Sequence, residues 1–460
     1  MHFGVPRAVV ARPEQDVKDR LNRLQSHSVV LQDWIHLHAE LSTEQKTQLG
    51  TSLQSSISKL QESWKQQPNQ RNQQQALDDF FPINFTDDTG PAFRLDEAGV
   101  QVVLDDDELP KETTSQLSDA LNERKAFYRD AALGYVLNLL DDYLFLTPDQ
   151  RQKMAEEMQS YRLNLDDACY SLHGKHSNYY QYFQSTSVTT TLASLKTAGL
   201  LTQSQEDITT DLRSQPSNAT SNPNYMLIST GDDEETFHQQ LRDTGKQQLK
   251  RLSQHVAARI DFYQSIGSLS DRNVRRLRLA SKGAMDDVIT SWKSNTTKSF
   301  ERYQTQEFAG QNMRIHMSLP TVESLVSNEL WKDTVESMVP ESSDGLFNRG
   351  RAIGNARAKF AVAMLDRELW LDSFQRERLL KSVSKLLPAG SGDSNSHRQS
   401  TDELSLLCIP LFKLSKLELT ILSPAQRQVW AEMKKPFTEQ NGYLRAKTKQ
   451  FGNMSIRLSR

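Results

Sequence analysis

Four side chains in one short stretch, Asp166, Cys169, His173 and His176, have the types and spacing to hold a metal. Steps of three, four and three put them on one face of a helix, and carboxylate, thiolate and imidazole each ligate zinc. A plainer reading competes. Gly174 fits a helix C-cap, and histidines near a helix C-terminus are favoured by the dipole alone. One helix rarely supplies four tetrahedral ligands. A centre built on Cys169, His173 and His176 would need a further ligand from elsewhere, and the acidic loop at Asp105–Asp107 is the obvious donor. His36 and His38 are two apart and point apart on a helix, so they read as aromatic or surface residues.

Other chemistry finds less support. The acidic pairs Asp141–Asp142, Asp166–Asp167 and Asp286–Asp287 are adjacent, whereas acid–base catalysis of glycosidase type needs carboxylates across a cleft. No EF-hand spacing is present, and Gly345, Gly350 and Gly354 follow neither the Walker nor the dinucleotide pattern. A nucleophile elbow is also missing. The basic stripe Arg272, Arg275, Arg276, Arg278 and Lys282 could meet phosphates, but without interleaved aromatics it reads as a solvated helix face. These observations name no catalytic residue and imply no cofactor.

The elements that must position any site are helices. The chain has 460 residues, 37% hydrophobic, a net charge of −3 and two cysteines, Cys169 and Cys408. Its mean hydropathy of −0.64 suits long helices with one buried stripe and broad polar faces. The charge argues against a nucleic-acid partner. The richest apolar runs, Ala131–Leu140 and Leu404–Phe412, are far shorter than a membrane span. The first fifteen residues lack a secretory core, which implies a cytoplasmic protein or a start lying upstream.

One amphipathic helix is used twice. Leu41–Lys65 and Leu269–Lys293 both begin Leu-Ser and end Ser-Trp-Lys, and Leu49, Ile57, Leu60 and Trp64 correspond to Leu277, Met285, Val288 and Trp292. Six segments share a leucine followed by a cap and, in five of them, a glutamine. They start at Leu41, Leu146, Leu201, Leu269, Leu371 and Leu422, at spacings of 105 and 55 and then of 102 and 51. Around two of them the match extends: Asp141, Leu144, Gln150 and Arg151 recur as Asp366, Leu369, Gln375 and Arg376. The motif predicts a helix start in which cap and glutamine exchange bonds in a capping box. The repetition predicts an internal duplication.

The expected fold is therefore mainly α, with two related multi-helix halves. The first half spans 1–215, with a small β-hairpin inserted near 92–104, where Ala92–Leu95 and Val100–Leu104 flank a turn-like tetrad. A linker at 216–244 and a second half at 245–460 follow.

The second half resembles uncharacterised helical proteins that planctomycete bacteria encode in many copies. Those carry a Leu-x-x-x-Gln-x-x-Lys-Leu-x-Leu-Ala-Gly-x-Gly-Asp segment. Leu269, Leu277, Leu279, Ala280 and Gly283 fit it, while Asn273 replaces the Gln and Ala284 the Asp. The resemblance implies a helical fold and an envelope location, and brings no activity. The repeated Leu-[Ser/Thr]-x-x-Gln motif is also similar to periplasmic stress chaperones of the LTXXQ type.

The function expected from these readings is a non-enzymatic helical scaffold or protein-interaction module, envelope-associated or chaperone-like, with a protein partner or a second copy as its target. The alternative is a metal-binding protein or metal-dependent enzyme using Cys169, His173 and His176.

Overall fold

The computed structural model describes residues 13–66, 110–159, 186–213, 225–229, 233–267, 269–305, 314–339, 344–386 and 418–439. Among these the fold is mainly α. The helices are α1 (Pro13–His38), α2 (Thr43–Gln66), α3 (Lys111–Leu144), α4 (Pro148–Met158), α5 (Thr186–Thr197), α6 (Gln203–Arg213) and α7 (Glu234–Gly267). They continue as α8 (Asp271–Thr305), α9 (Val322–Val326), α10 (Glu329–Met338), α11 (Asp344–Leu369), α12 (Ser373–Leu386) and α13 (Pro424–Glu439), with a short 3₁₀ turn at Glu418–Ile421. None of the described helices is long and apolar enough to cross a membrane.

The residues expected to form a hairpin near 92–104 lie outside the described residues. An antiparallel pair occurs elsewhere: β1 (Tyr225–Ser229) runs from Tyr225↔Ser318 to Ser229↔Arg314 along β2 (Arg314–Ser318). Both β1 and the first turns of α7 fall inside 216–244, so that stretch is not a plain linker. The strand forms because Met226 and Met317 are buried with Phe237, Leu241, Trp292 and Phe300, with Phe237 stacked on Phe300 at 3.9 Å. Trp292 donates its indole N–H to the Ser318 carbonyl at 2.9 Å. An element 26 residues away thus fixes the strand's end.

Two compact units emerge, and they are not the two sequence halves. Unit 1 comprises Met1–Arg129, Ala358–Leu386 and Leu407–Arg460; unit 2 comprises Asp130–Arg357 and Leu387–Leu406. In unit 1, α1 packs on α2 and on α13. Its core includes Leu31, Trp34, Ile35, Leu49, Leu53, Leu117, Phe360, Trp370, Leu379 and Val429. In unit 2, α7 packs on α8 and on α6, and α8 on α10. Its core includes Tyr135, Val136, Leu140, Phe145, Met154, Leu195, Ile208, Ile260, Phe262, Tyr263, Leu277 and Trp331. These units cut the chain at places other than 215 and 245, because helices contribute to both of them. Lys111–Arg129 of α3 belongs to unit 1 and the rest of that helix to unit 2; α11 changes unit after Arg357.

Local sequence explains the helix boundaries. The capping boxes predicted from the repeated motif form at Ser42/Gln45, Thr147/Gln150, Thr202/Gln205, Asp372/Gln375 and Ser423/Gln426, each with both reciprocal bonds. Asn273, the departure from glutamine, keeps only the bond from its N–H to the Ser270 hydroxyl. Its side chain is one methylene shorter, which accounts for the missing return bond. Gly345 opens α11 against the end of α7. A Cβ there would lie 2.4 Å from Ile266 Cβ, so only a glycine permits that approach.

Candidate functional site

Among the described residues two buried polar knots stand out, one in each unit. In unit 2, Asp141 sits at the end of α3 with its side chain fully buried. Its Oδ1 accepts the Leu146 N–H at 3.1 Å and the Arg349 Nε at 3.1 Å, while its carbonyl accepts the Arg349 Nη2 at 3.0 Å. Arg151 binds the other carboxylate oxygen and also donates to the Asn138 side-chain oxygen. In unit 1, Asp366 ends α11 in the same way. Its Oδ1 accepts the Leu371 N–H at 2.6 Å and the Arg124 Nε at 3.4 Å, and its carbonyl accepts the Arg124 Nη2 at 2.8 Å. Arg376 reaches Oδ2 at 3.5 Å and the Leu371 carbonyl at 2.9 Å.

These bonds hold an unusual backbone. Phe145 and Trp370, the residues just past the two helices, have φ of 53° and 46°. A left-handed residue at this place is ordinarily glycine, and a bulky side chain there costs on the order of 1–2 kcal/mol. The aspartate four residues earlier offsets that cost by accepting the next free N–H, and both rings are buried. Burial pushes the Asp366 carboxyl above its ordinary value, while Arg124, Arg376 and the Leu371 N–H draw it back.

The capping glutamines carry a second duty. Gln150 Nε2 donates to the Leu200 carbonyl and to Gln205, and Gln205 donates to the Leu144 carbonyl and back to Gln150. Gln375 and Gln426 repeat the arrangement with the Ile421 and Leu369 carbonyls. The motif spacings of 55 and 51 are thus the separations of two side-chain amides that meet in space. The sequence predicted the caps and missed these pairs; the repeated spacing was the signal for them.

With every carboxylate oxygen of Asp141 and Asp366 taken by protein donors and no exposed surface on either side chain, the knots are closed structures. They have no open position for a substrate. Asp166, Cys169, His173 and His176, the candidate metal set, and the acidic loop at Asp105–Asp107 all lie outside the described residues, as does Cys408. Among the described residues no three His, Cys, Asp or Glu side chains gather as a ligand set.

Open clefts also occur among the described residues, two of them large. One in unit 1 has a volume of about 730 Å³ and is lined by His36, Glu40, Ser42, Glu44, Gln45 and Lys46 among others. Burial, then Lys46, holds the His36 imidazole below its ordinary value. Ser42 is committed to its capping box, so no activated nucleophile stands beside it. His38 stacks on Trp34 at 4.4 Å. The other cleft, in unit 2, is about 710 Å³, with Trp292, Met317, Leu319 and Pro320 among hydroxyl and amide side chains. Trp292 is only 8% exposed, so its ring offers little surface to a ligand. Trp64, its sequence counterpart, has a side chain outside the described set.

The third feature is the outer face of α8. Its inner stripe, Val274, Leu277, Ala280, Ala284, Ile289 and Trp292, is buried. On the other side Arg272, Arg275, Arg276, Arg278 and Lys282 are exposed, and among the described residues none takes part in an ion pair. Leu279 stands in their midst, 71% exposed, the most exposed large hydrophobic residue described. One turn on, a Cβ at Gly283 would lie 2.8 Å from Leu330 Cδ2 of α10, and Leu330 is itself 48% exposed. The predicted solvated basic stripe therefore surrounds an apolar centre that periodicity alone did not single out.

No family model, curated protein or solved structure matches the chain.

Proposed function

We propose that the chain is a non-enzymatic helical scaffold whose docking face is the outer surface of α8 and α10, and that its target is a protein segment of acidic, apolar character. The observation that carries the reading is Leu279, largely exposed within a collar of exposed arginine and lysine. An isolated surface leucine needs no explanation, but one flanked by Leu330 and five cations has complementary chemistry for an amphipathic acidic helix. The cations would steer the encounter and the two leucines would supply the anchor. The envelope location belongs to this proposal through the resemblance to the planctomycete proteins, and a chaperone role would use the same face on unfolded clients.

The test is fluorescence anisotropy of the full chain with a labelled amphipathic peptide carrying leucines at i and i+4 and glutamates around them. Saturable binding is expected, lost in Leu279→Asp and in Arg275→Glu/Arg276→Glu without a change in melting temperature. No binding, or equal binding of a lysine-substituted peptide, would contradict the reading. So would binding to anionic vesicles with none to the peptide.

A further inference from the structure

Each unit is assembled across the sequence. In unit 1, α1 from the early chain packs on α13 from the late chain, and Arg124 from the early chain holds Asp366 from the late chain. In unit 2, α7 from the late chain packs on α6 from the early chain, and Arg349 from the late chain holds Asp141 from the early chain. The exchange is reciprocal residue by residue. Arg124, Asp141, Phe145, Gln150 and Arg151 map onto Arg349, Asp366, Trp370, Gln375 and Arg376 at one constant offset of 225 (349 − 124; 366 − 141; 376 − 151). Gln205 maps onto Gln426 at an offset of 221 (426 − 205), and Ser42 onto Ser270 at 228 (270 − 42).

A contact in which position i of one partner meets j of the other, while j meets i, is the mark of an isologous interface between identical copies. Two unrelated halves have no reason to repeat the same atoms: Nε to Oδ1 and Nη2 to the carbonyl, in both directions. We infer that the two sequence halves are copies of one segment whose partner was a second copy of itself, and that this chain is such a pair joined through residues 214–224. The interaction surface of each half is the arginine on its long helix, the aromatic cap at that helix's end and the paired capping glutamines beyond it. Each half then supplies the guanidinium that the other half's carboxylate requires. A half without its partner would keep only the Arg151 or Arg376 guanidinium on its buried aspartate, and would leave the arginine of its long helix without a carboxylate and the apolar face of α1 or α7 uncovered.

The experiment uses the full chain with a specific protease site placed within 214–224 and cut after folding. The two pieces are expected to elute together at the mass of the uncut chain in native buffer and to part only under denaturant. The cut Arg124→Leu/Arg349→Leu chain should release its pieces in native buffer, whereas a cut Arg272→Leu/Arg275→Leu control should not. The copy relation is read by writing the early cap over the late one, as Trp370→Phe/Asp372→Thr/Ser373→Pro/Phe374→Asp, which should melt within a few degrees of the parent. Separation of the cut parent would overturn the inference. So would release by the control as readily as by the arginine variant, or failure of the cap-exchanged chain to fold.

Discussion

Beside Asp366 the Arg124 guanidinium lies 3.5 Å from the centre of the Trp370 ring, and Trp34 packs on that ring at 4.9 Å. Around Asp141 the ring is the smaller Phe145, and two guanidinium groups approach it, Arg259 at 4.2 Å and Arg349 at 5.2 Å. The bonds from the cross-half arginine and from the capping N–H match atom for atom in the two knots, while Arg151 turns to Asn138 where Arg376 turns to the Leu371 carbonyl, and the packing around them differs. The bonds that satisfy a left-handed helix end admit few solutions, because each free N–H and carbonyl must find a partner. Ring size and the cations that approach it can vary, provided volume and charge are balanced locally. The neighbouring histidines diverge further. His27 in unit 1 lies 3.4 Å from the Glu368 carboxylate, whereas His255 in unit 2 is fully buried near Arg251 and Arg259 and is held down to about 3.

The comparison breaks most sharply at the carboxylates. Asp141→Leu should strand Arg349 and Arg151, and Asp366→Leu should strand Arg124 and Arg376; each should cost about 3–5 kcal/mol, the usual penalty for removing one partner of a buried pair. Urea denaturation followed by circular dichroism measures it. Comparable losses in both variants support equivalence, and a loss confined to one would end it.

Acid should then separate the units. The native form of His255 is neutral, and burial is the main cause, with Arg251 and Arg259 adding to it. The unfolded chain takes up a proton near 6.5, so the stability contributed at this site is complete above that pH and is lost as pH falls toward about 3. At 1.36 kcal/mol per unit, acidifying from 6.5 to 4 removes about 3 kcal/mol from unit 2. Denaturation midpoints of the parent and of His255→Phe across that range provide the check. The substitution should flatten the slope, and an unchanged slope would show that the buried ring is not its source.

Smaller effects sharpen the comparison. Gln205→Ala and Gln426→Ala each free a buried carbonyl and a partner amide, for an expected loss of about 1–3 kcal/mol, equal in the two units to within their scatter. Thermal unfolding of the two variants side by side is sufficient. Exchanging the cap rings, Phe145→Trp with Trp370→Phe, should cost less than about 1.5 kcal/mol, because each site already accommodates an aromatic residue at positive φ.

The sequence carried the local physics well. The six helix starts were readable because a cap and a glutamine three residues apart are a short-range signal. Five of the six glutamine or asparagine positions close the full box. The repeat of Asp141-to-Arg151 as Asp366-to-Arg376 was also visible. What stayed hidden was long-range. Arg124 and Arg349 gave no local sign of their role, since each acts on an aspartate 242 or 208 positions away. The strand pair was missed because β1 and β2 are five residues each, and Arg314–Ser318 has no partner nearby in sequence. Contiguous halves were a natural reading of a repeat. The interleaved units follow from contacts that periodicity does not encode. Leu279 was counted among matching letters of a motif, and only its exposure in the folded chain placed it on an outer face.

The central claim, that each sequence half completes the other, is tested most directly by peptide-resolved hydrogen exchange on full-length Arg124→Leu and Arg349→Leu. Local opening follows cooperative units rather than sequence order. Arg124→Leu should deprotect α1 together with α12 and α13, which lie hundreds of residues from it, and leave α4, α6 and α7 as in the parent. Arg349→Leu should do the opposite. If protection is instead lost along the contiguous half that carries the mutation, so that Arg124→Leu opens α4 and α6 while α12 and α13 stay closed, the account is wrong.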